Sequence, residues 1–160
     1  MNIDEPILEL IQMSKTIDGP KTRFNAPAPG SKLEVKLVSF DNPAEKFTLS
    51  IAEGARSSSI TLAIDAGRKT SMQTRRLSEP LVRIDIDDHA VHTNPDGSLV
   101  KGSHVHIASV ESGCRWAFPA SSDEFIMVAG DGGEIPCVFE SFREFCSIER
   151  ALEIVWSLGV

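Results

Sequence analysis

Between residues 33 and 119, apolar side chains recur at every second position in short runs separated by turn signals, the period of half-buried β-strands. Leu33, Val35 and Leu37 alternate with Glu34 and Lys36, and Phe47, Leu49 and Ile51 alternate with Thr48 and Ser50. The Asp41-Asn42-Pro43 turn between these runs predicts a hairpin. Further strands are expected over 59–64, 69–77, 82–87, 104–107 and 115–118, the last ended by Pro119. At both ends the period changes to that of a helix. Asp4 as N-cap, Pro6 in the first turn and the stripe Ile7, Leu8, Leu10, Ile11 predict a helix over 5–17, stopped by Gly19-Pro20. Residues 25–31 read as a Pro/Gly linker into the sheet. Near the C-terminus, Ser141 with Glu144 forms a capping-box pattern. Ile148, Leu152, Val155 and Trp156 add a helical stripe, so a helical segment is expected over 140–158. The expected architecture is α+β: a curved antiparallel sheet or small β-barrel of about six to seven strands. An N-terminal helix and one or two C-terminal helices accompany it. The chain is read as a single domain, 1–160, with its β-rich body over 33–119.

Composition narrows the function classes. A length of 160 residues buries a core without staples or metals, and 41% hydrophobic with 24% charged residues is ordinary for a globular chain. No apolar run approaches the ~18 residues of a membrane helix, and the acidic start MNIDEPILEL lacks a signal-peptide core. Cys114, Cys137 and Cys146 are odd in number and form no CxxC pair, so free thiols in a reducing cytoplasm are expected. The net charge of −7 argues against a generic nucleic-acid coat. The basic residues nonetheless cluster, with Arg68, Lys69, Arg75, Arg76 and Arg83 close together.

All four histidines, His89, His92, His104 and His106, fall within eighteen residues. His104 and His106 are two apart in the run His-Val-His-Ile, so both leave one face of a strand while Val105 and Ile107 leave the other. The same parity sets Arg83 and Asp85 opposite Val82, Ile84 and Ile86. If strands 82–87 and 104–107 pair, Arg83, Asp85, His104 and His106 share the outer face. His92 then arrives from a connection of little periodicity around the Thr93-Asn-Pro-Asp-Gly97 turn. On such an exposed face, truncating an imidazole is expected to cost within ~0.5 kcal/mol of stability.

Three chemistries use this constellation. Two imidazoles, each with an unperturbed pKa near ~6.5, can act as general base and general acid on a phosphodiester. Arg83, Arg75 or Lys101 would then steady the charge on phosphorus. Alternatively His104 and His106, with His92 or Asp85, bind zinc. The third reading is an ion-paired polar strand face without chemistry. Trp116 reads as core, or as a base-stacking platform if it lies near the histidine face. Ser57–Ser59 gain a nucleophilic role only beside a histidine. Gly130–Gly133 is a plain turn that lacks the lysine and serine of a phosphate-binding loop.

The runs His92–Gly97, His104–Ile107 and Trp116–Pro119 (an H-x-N-P-D-G … H-V-H-I … W-A-F-P pattern) resemble an uncharacterised family of small bacterial proteins also found in prophages and plasmids. Val82–Ile86 and Phe142–Ile148 fit the same pattern, so the resemblance spans roughly 33 to 148. It carries no established activity. A mobile-element setting implies either a toxin-like ribonuclease or a small inhibitor of a host or phage component. The expectation is a cytoplasmic, metal-independent, toxin-like endoribonuclease acting on RNA and held by a protein partner. His104 and His106 form its acid/base pair, with His92 a third candidate, Arg83, Arg75, Lys101 and Trp116 as substrate contacts, and no cofactor. The alternative is a non-catalytic inhibitor acting through its acidic surface.

Overall fold

The computed structural model describes residues 3–65, 80–120 and 134–156. Helix α1 (Glu5–Gln12) comes first, then strands β1 (Lys15–Ile17), β2 (Arg23–Asn25), β3 (Ser31–Ser39), β4 (Lys46–Glu53), β5 (Ser58–Ile64) and β6 (Pro80–Ile86). Strands β7 (Val91–Thr93), β8 (Leu99–Lys101), β9 (His104–Ile107) and β10 (Ala117–Pro119) follow. Helix α2 (Ile135–Phe145) and strand β11 (Glu153–Val155) complete the order. Seven strands form one antiparallel sheet in the order β1-β3-β4-β5-β6-β9-β10. β1 and β10 are its two edges, so the sheet is open and the barrel alternative falls. The fold is α+β, as the periodicities require.

Period-two alternation divides the sheet into two faces. Val35, Leu37, Phe47, Leu49, Ile51, Ile60, Leu62, Val82, Ile84, Val105 and Ile107 enter one core with Ile7 and Ile11 of α1 and Val138, Phe139 and Phe142 of α2. α1 lies against β6 and α2 against β5. Each large side chain buried here contributes about 1.5–3 kcal/mol. The opposite face carries Lys32, Glu34, Ser50, Ala52, Ser59, Thr61, Arg83 and Asp85, which pair in register across β3, β4, β5 and β6.

The ends of the chain depart from the helical expectation. α1 stops at Gln12, and Lys15–Ile17 forms edge strand β1, with Thr16 opposite Val38. The unpaired edge of β3 captures residues whose β-branched Thr16 and Ile17 suit a strand. Leading into the expected linker, Arg23–Asn25 is a strand pairing in parallel with β11, and residues 26–30 carry no strand, as expected of a linker. The second helix begins at Ile135 with a proline in its first turn, so Ser141 and Glu144 lie inside it and cap nothing. It ends ten residues or more before the expected boundary. Ser147 takes φ 54°, its N–H bonds Glu144 O, and Ile148 N–H bonds Arg143 O, the paired bonds of a Schellman close. Ile148 and Leu152 are buried as their spacing implied, yet they sit in the return leading to β11. Pro119 is the last residue of β10, so the strand ends where expected, at an edge position that tolerates the missing N–H, although it begins at Ala117 and not at 115. The strand expected over 69–77, including Arg75, and the Gly130–Gly133 turn lie outside the described residues.

Candidate active site

β6 and β9 pair with Arg83 opposite His106 and Asp85 opposite His104, so the shared outer face required by parity is present. Val105 and Ile107 point into the core from the other side. Asp85 divides its carboxylate among three neighbours. Arg83 donates from Nε and Nη2 to Oδ1 at 2.9 and 2.7 Å. Oδ2 faces His104 Nε2 and His106 Nε2, each at 3.5 Å. Those two contacts exceed the ~2.7–3.2 Å of an N–H···O hydrogen bond.

The connection between β6 and β9 is ordered. Its residues form the β7–β8 hairpin, with His92 opposite Val100 on one face and Val91, Thr93, Leu99 and Lys101 exposed on the other. The turn follows from its sequence: Ser98 N–H and Oγ–H both donate to Asp96 Oδ1, and Gly97 takes φ 87°, which favours glycine. Asn94 fastens the hairpin to edge strand β10. Its Oδ1 accepts from Ala117 N–H at 2.8 Å and its Nδ2 donates to Ala117 O at 3.1 Å, as a neighbouring strand would. Sequence reasoning passed over Asn94 as turn material, since its burial and its pairing with Ala117 depend on a partner twenty-three residues away.

This fastening lowers the hairpin onto the imidazoles. The centroid of the His92 ring lies 4.8 Å from that of His106 and 5.6 Å from that of His104, and the His104 and His106 centroids are 5.0 Å apart. Only 8% of the His104 side chain, 12% of His106 and 17% of Asp85 remain exposed. The expectation of a freely solvated histidine face is therefore corrected, because the hairpin covers the residues that strand parity points outward.

Each ring directs one nitrogen to a backbone carbonyl. His104 Nδ1 lies 2.9 Å from Gly102 O, His106 Nδ1 2.9 Å from Cys114 O, and His92 Nε2 3.0 Å from Arg115 O. A carbonyl only accepts, so each of these nitrogens carries the proton and a neutral ring keeps its lone pair on the other nitrogen. Burial, with the nearby His104 charge, lowers the His106 pKa from 6.5 against the pull of Asp85, which makes His106 a neutral base at pH 7. One ligating nitrogen from each ring lies within 4.8 Å of the others, so His92, His104 and His106 can hold a metal ion.

Not every candidate joins them. Lys101 occupies the solvent side of the hairpin. Trp116 lines a separate cavity of about 230 Å³ with Ile107 and Phe118, whose lining includes none of the histidines. His89 sits in an exposed turn, where its N–H bonds Asp87 Oδ1. Beside the site, Arg83 and Asp85 form one wall of an open groove of about 360 Å³ that also includes Lys32 and Ser57–Ser59.

Residues 3–148 match a family of unknown function, DUF6978, and the chain belongs to it. No curated protein and no solved structure matches the chain.

Proposed function

For this member of the DUF6978 family we propose that the histidine face cleaves phosphodiester bonds in RNA. The observation that carries the reading is the cross-strand placement of Arg83 beside His106 and Asp85 beside His104. A guanidinium and proton-accepting nitrogens thereby come within reach of one phosphate. RNA supplies its own nucleophile. The 2′-hydroxyl proton passes to an Nε2 lone pair or to a water held there, the 2′-oxygen bonds phosphorus, and the P–O5′ bond breaks. The leaving 5′-oxygen takes a proton from a second imidazole, leaving a 2′,3′-cyclic phosphate and a 5′-hydroxyl. His106 suits the base because it is neutral at pH 7. His104, beside Asp85, suits the acid. Arg83, with about half its side chain exposed, faces the groove and meets the charge developing on phosphorus. Lys32 and Ser57–Ser59 line the same groove and suit a flanking phosphate.

The protein acts in the cytoplasm as a toxin-like nuclease restrained by a protein partner. This setting accommodates a net charge of −7, since capture of RNA is local to the groove. Single-stranded RNA, incubated with protein freed of any partner by denaturation and refolding, is expected to yield cyclic-phosphate ends. His104→Ala should lower the rate about 10²–10⁴-fold and Arg83→Ala about 10²–10³-fold. Absence of cleavage at protein in excess over RNA rejects the reading and leaves the inhibitor alternative, for which a partner should co-purify through the acidic surface.

A further inference from the structure

We propose that His92, His104, His106 and Asp85 bind a divalent ion of the zinc class, as a three-nitrogen, one-oxygen site. This departs from the metal-free expectation and rests on geometry that the cleavage reading leaves unexplained.

The tautomers come first. With His92 Nε2, His104 Nδ1 and His106 Nδ1 all donating to backbone carbonyls, the three rings in their neutral form carry lone pairs on His92 Nδ1, His104 Nε2 and His106 Nε2. A ring anchored through one nitrogen is the usual support of a metal-bound histidine, since it fixes orientation and raises basicity at the other. Here all three rings are anchored in this way.

Asp85 supplies the second argument. Its Oδ2 faces two nitrogens that bear lone pairs, an arrangement of three acceptors that repel unless a positive charge lies among them. The separations of 3.5 Å are too long for hydrogen bonds. They match the donor–donor edge of about 3.3–3.6 Å expected when ligands lie 2.0–2.2 Å from a tetrahedral ion. One ligating nitrogen of His92, on a hairpin separate from the seven-stranded sheet, lies within 4.8 Å of one on each of the other two rings. Arg83 holds Oδ1 and so orients the carboxylate from behind, as an outer partner of a metal ligand does. Three imidazoles with one carboxylate select zinc or a neighbouring transition ion over magnesium or calcium, which prefer oxygen donors. Should the ion and the cleavage reading both hold, a water on the ion would serve as the base, because zinc lowers the pKa of its bound water to about 7. Catalytic zinc sometimes expands to five ligands during the reaction.

The test needs no RNA, so its outcome is separate from that of the cleavage reading. Protein carrying Cys137→Ser, which removes the exposed thiol, is stripped with chelator and titrated with zinc by calorimetry and with cobalt(II) by absorption. One equivalent should bind, with the intense visible bands of four-coordinate cobalt. His92→Gln and Asp85→Asn should each weaken binding about 10–100-fold. His92 lies on the covering hairpin, so His92→Gln is expected to remain folded, with circular dichroism as the check. No binding to folded protein overturns the proposal, as does binding of equal strength in both variants. Such results would assign the charge between Asp85 and the imidazoles to a shared proton.

Discussion

Among the described residues, buried Lys15 and the buried histidine cluster are finished differently. Lys15 is 1% exposed, and its ammonium donates to Ile11 O and Met13 O at 2.7 Å and to Cys146 O at 2.8 Å. These carbonyls close the C-terminal ends of α1 and α2, where the helix dipoles are negative, so one cation ties the two helices to β1. Its three protons are all engaged. Under the β7–β8 hairpin, by contrast, anchored imidazoles and a carboxylate turn their acceptors toward one another without a hydrogen bond between them. A cluster that serves the fold has its valences satisfied, whereas this one retains a set of convergent lone pairs. Protonation reinforces the contrast. Burial lowers the Lys15 pKa from 10.5 to about 8, so Lys15 stays a cation at neutral pH, while His106 is pushed below 6.5 and is a free base there.

The largest effect on stability is expected at Lys15. Lys15→Met should leave three carbonyls without donors and cost about 3 kcal/mol in chemical denaturation, with zinc affinity per folded molecule unchanged. A loss under 1 kcal/mol would dissolve the contrast. Asn94→Ala comes next, at about 1–3 kcal/mol, because Ala117 loses both of its partners in a buried setting. Zinc affinity should fall with it, since the hairpin carries His92. Undiminished affinity would show that the hairpin does not position the site.

The pH dependence is smaller and has a definite sign. Between pH 10.5 and about 8 the unfolded chain holds the Lys15 proton that the folded one releases, so this group's contribution to stability should rise as pH climbs through that window. For His106 the unfolded state protonates first as pH falls through about 6.5, so stability should decline on acidification and level off below the folded pKa. Denaturant titrations of metal-free protein at stepped pH should show the acid slope diminished in His106→Gln. An equal slope would assign it to other groups.

How far the sequence discloses all this depends on the range of the interaction. Alternation within 33–37, 47–51, 59–64, 82–87 and 104–107 reports a local period, and these runs are strands. Parity then brought Arg83, Asp85, His104 and His106 together before any pairing was known. Residues 15–17 and 148–156 were misassigned because their state is set by distant partners, the β3 edge and β2, and by a left-handed Ser147 where a glycine would have been the signal. Burial of the histidines was equally hidden. It comes from Asn94 gripping Ala117, twenty-three residues away, and no periodicity encodes that contact. For the same reason His104→Ala should cost more than the ~0.5 kcal/mol of a surface change, since it removes the donor to Gly102 O.

The most direct measurement of whether this cluster is the reactive centre is the single-turnover cleavage rate of a short RNA, expressed per folded molecule, for wild type, His106→Ala and Lys15→Met. The account predicts that His106→Ala falls about 10²–10⁴-fold while Lys15→Met retains the wild-type rate despite its lower stability. Cleavage by His106→Ala as fast as wild type would contradict it.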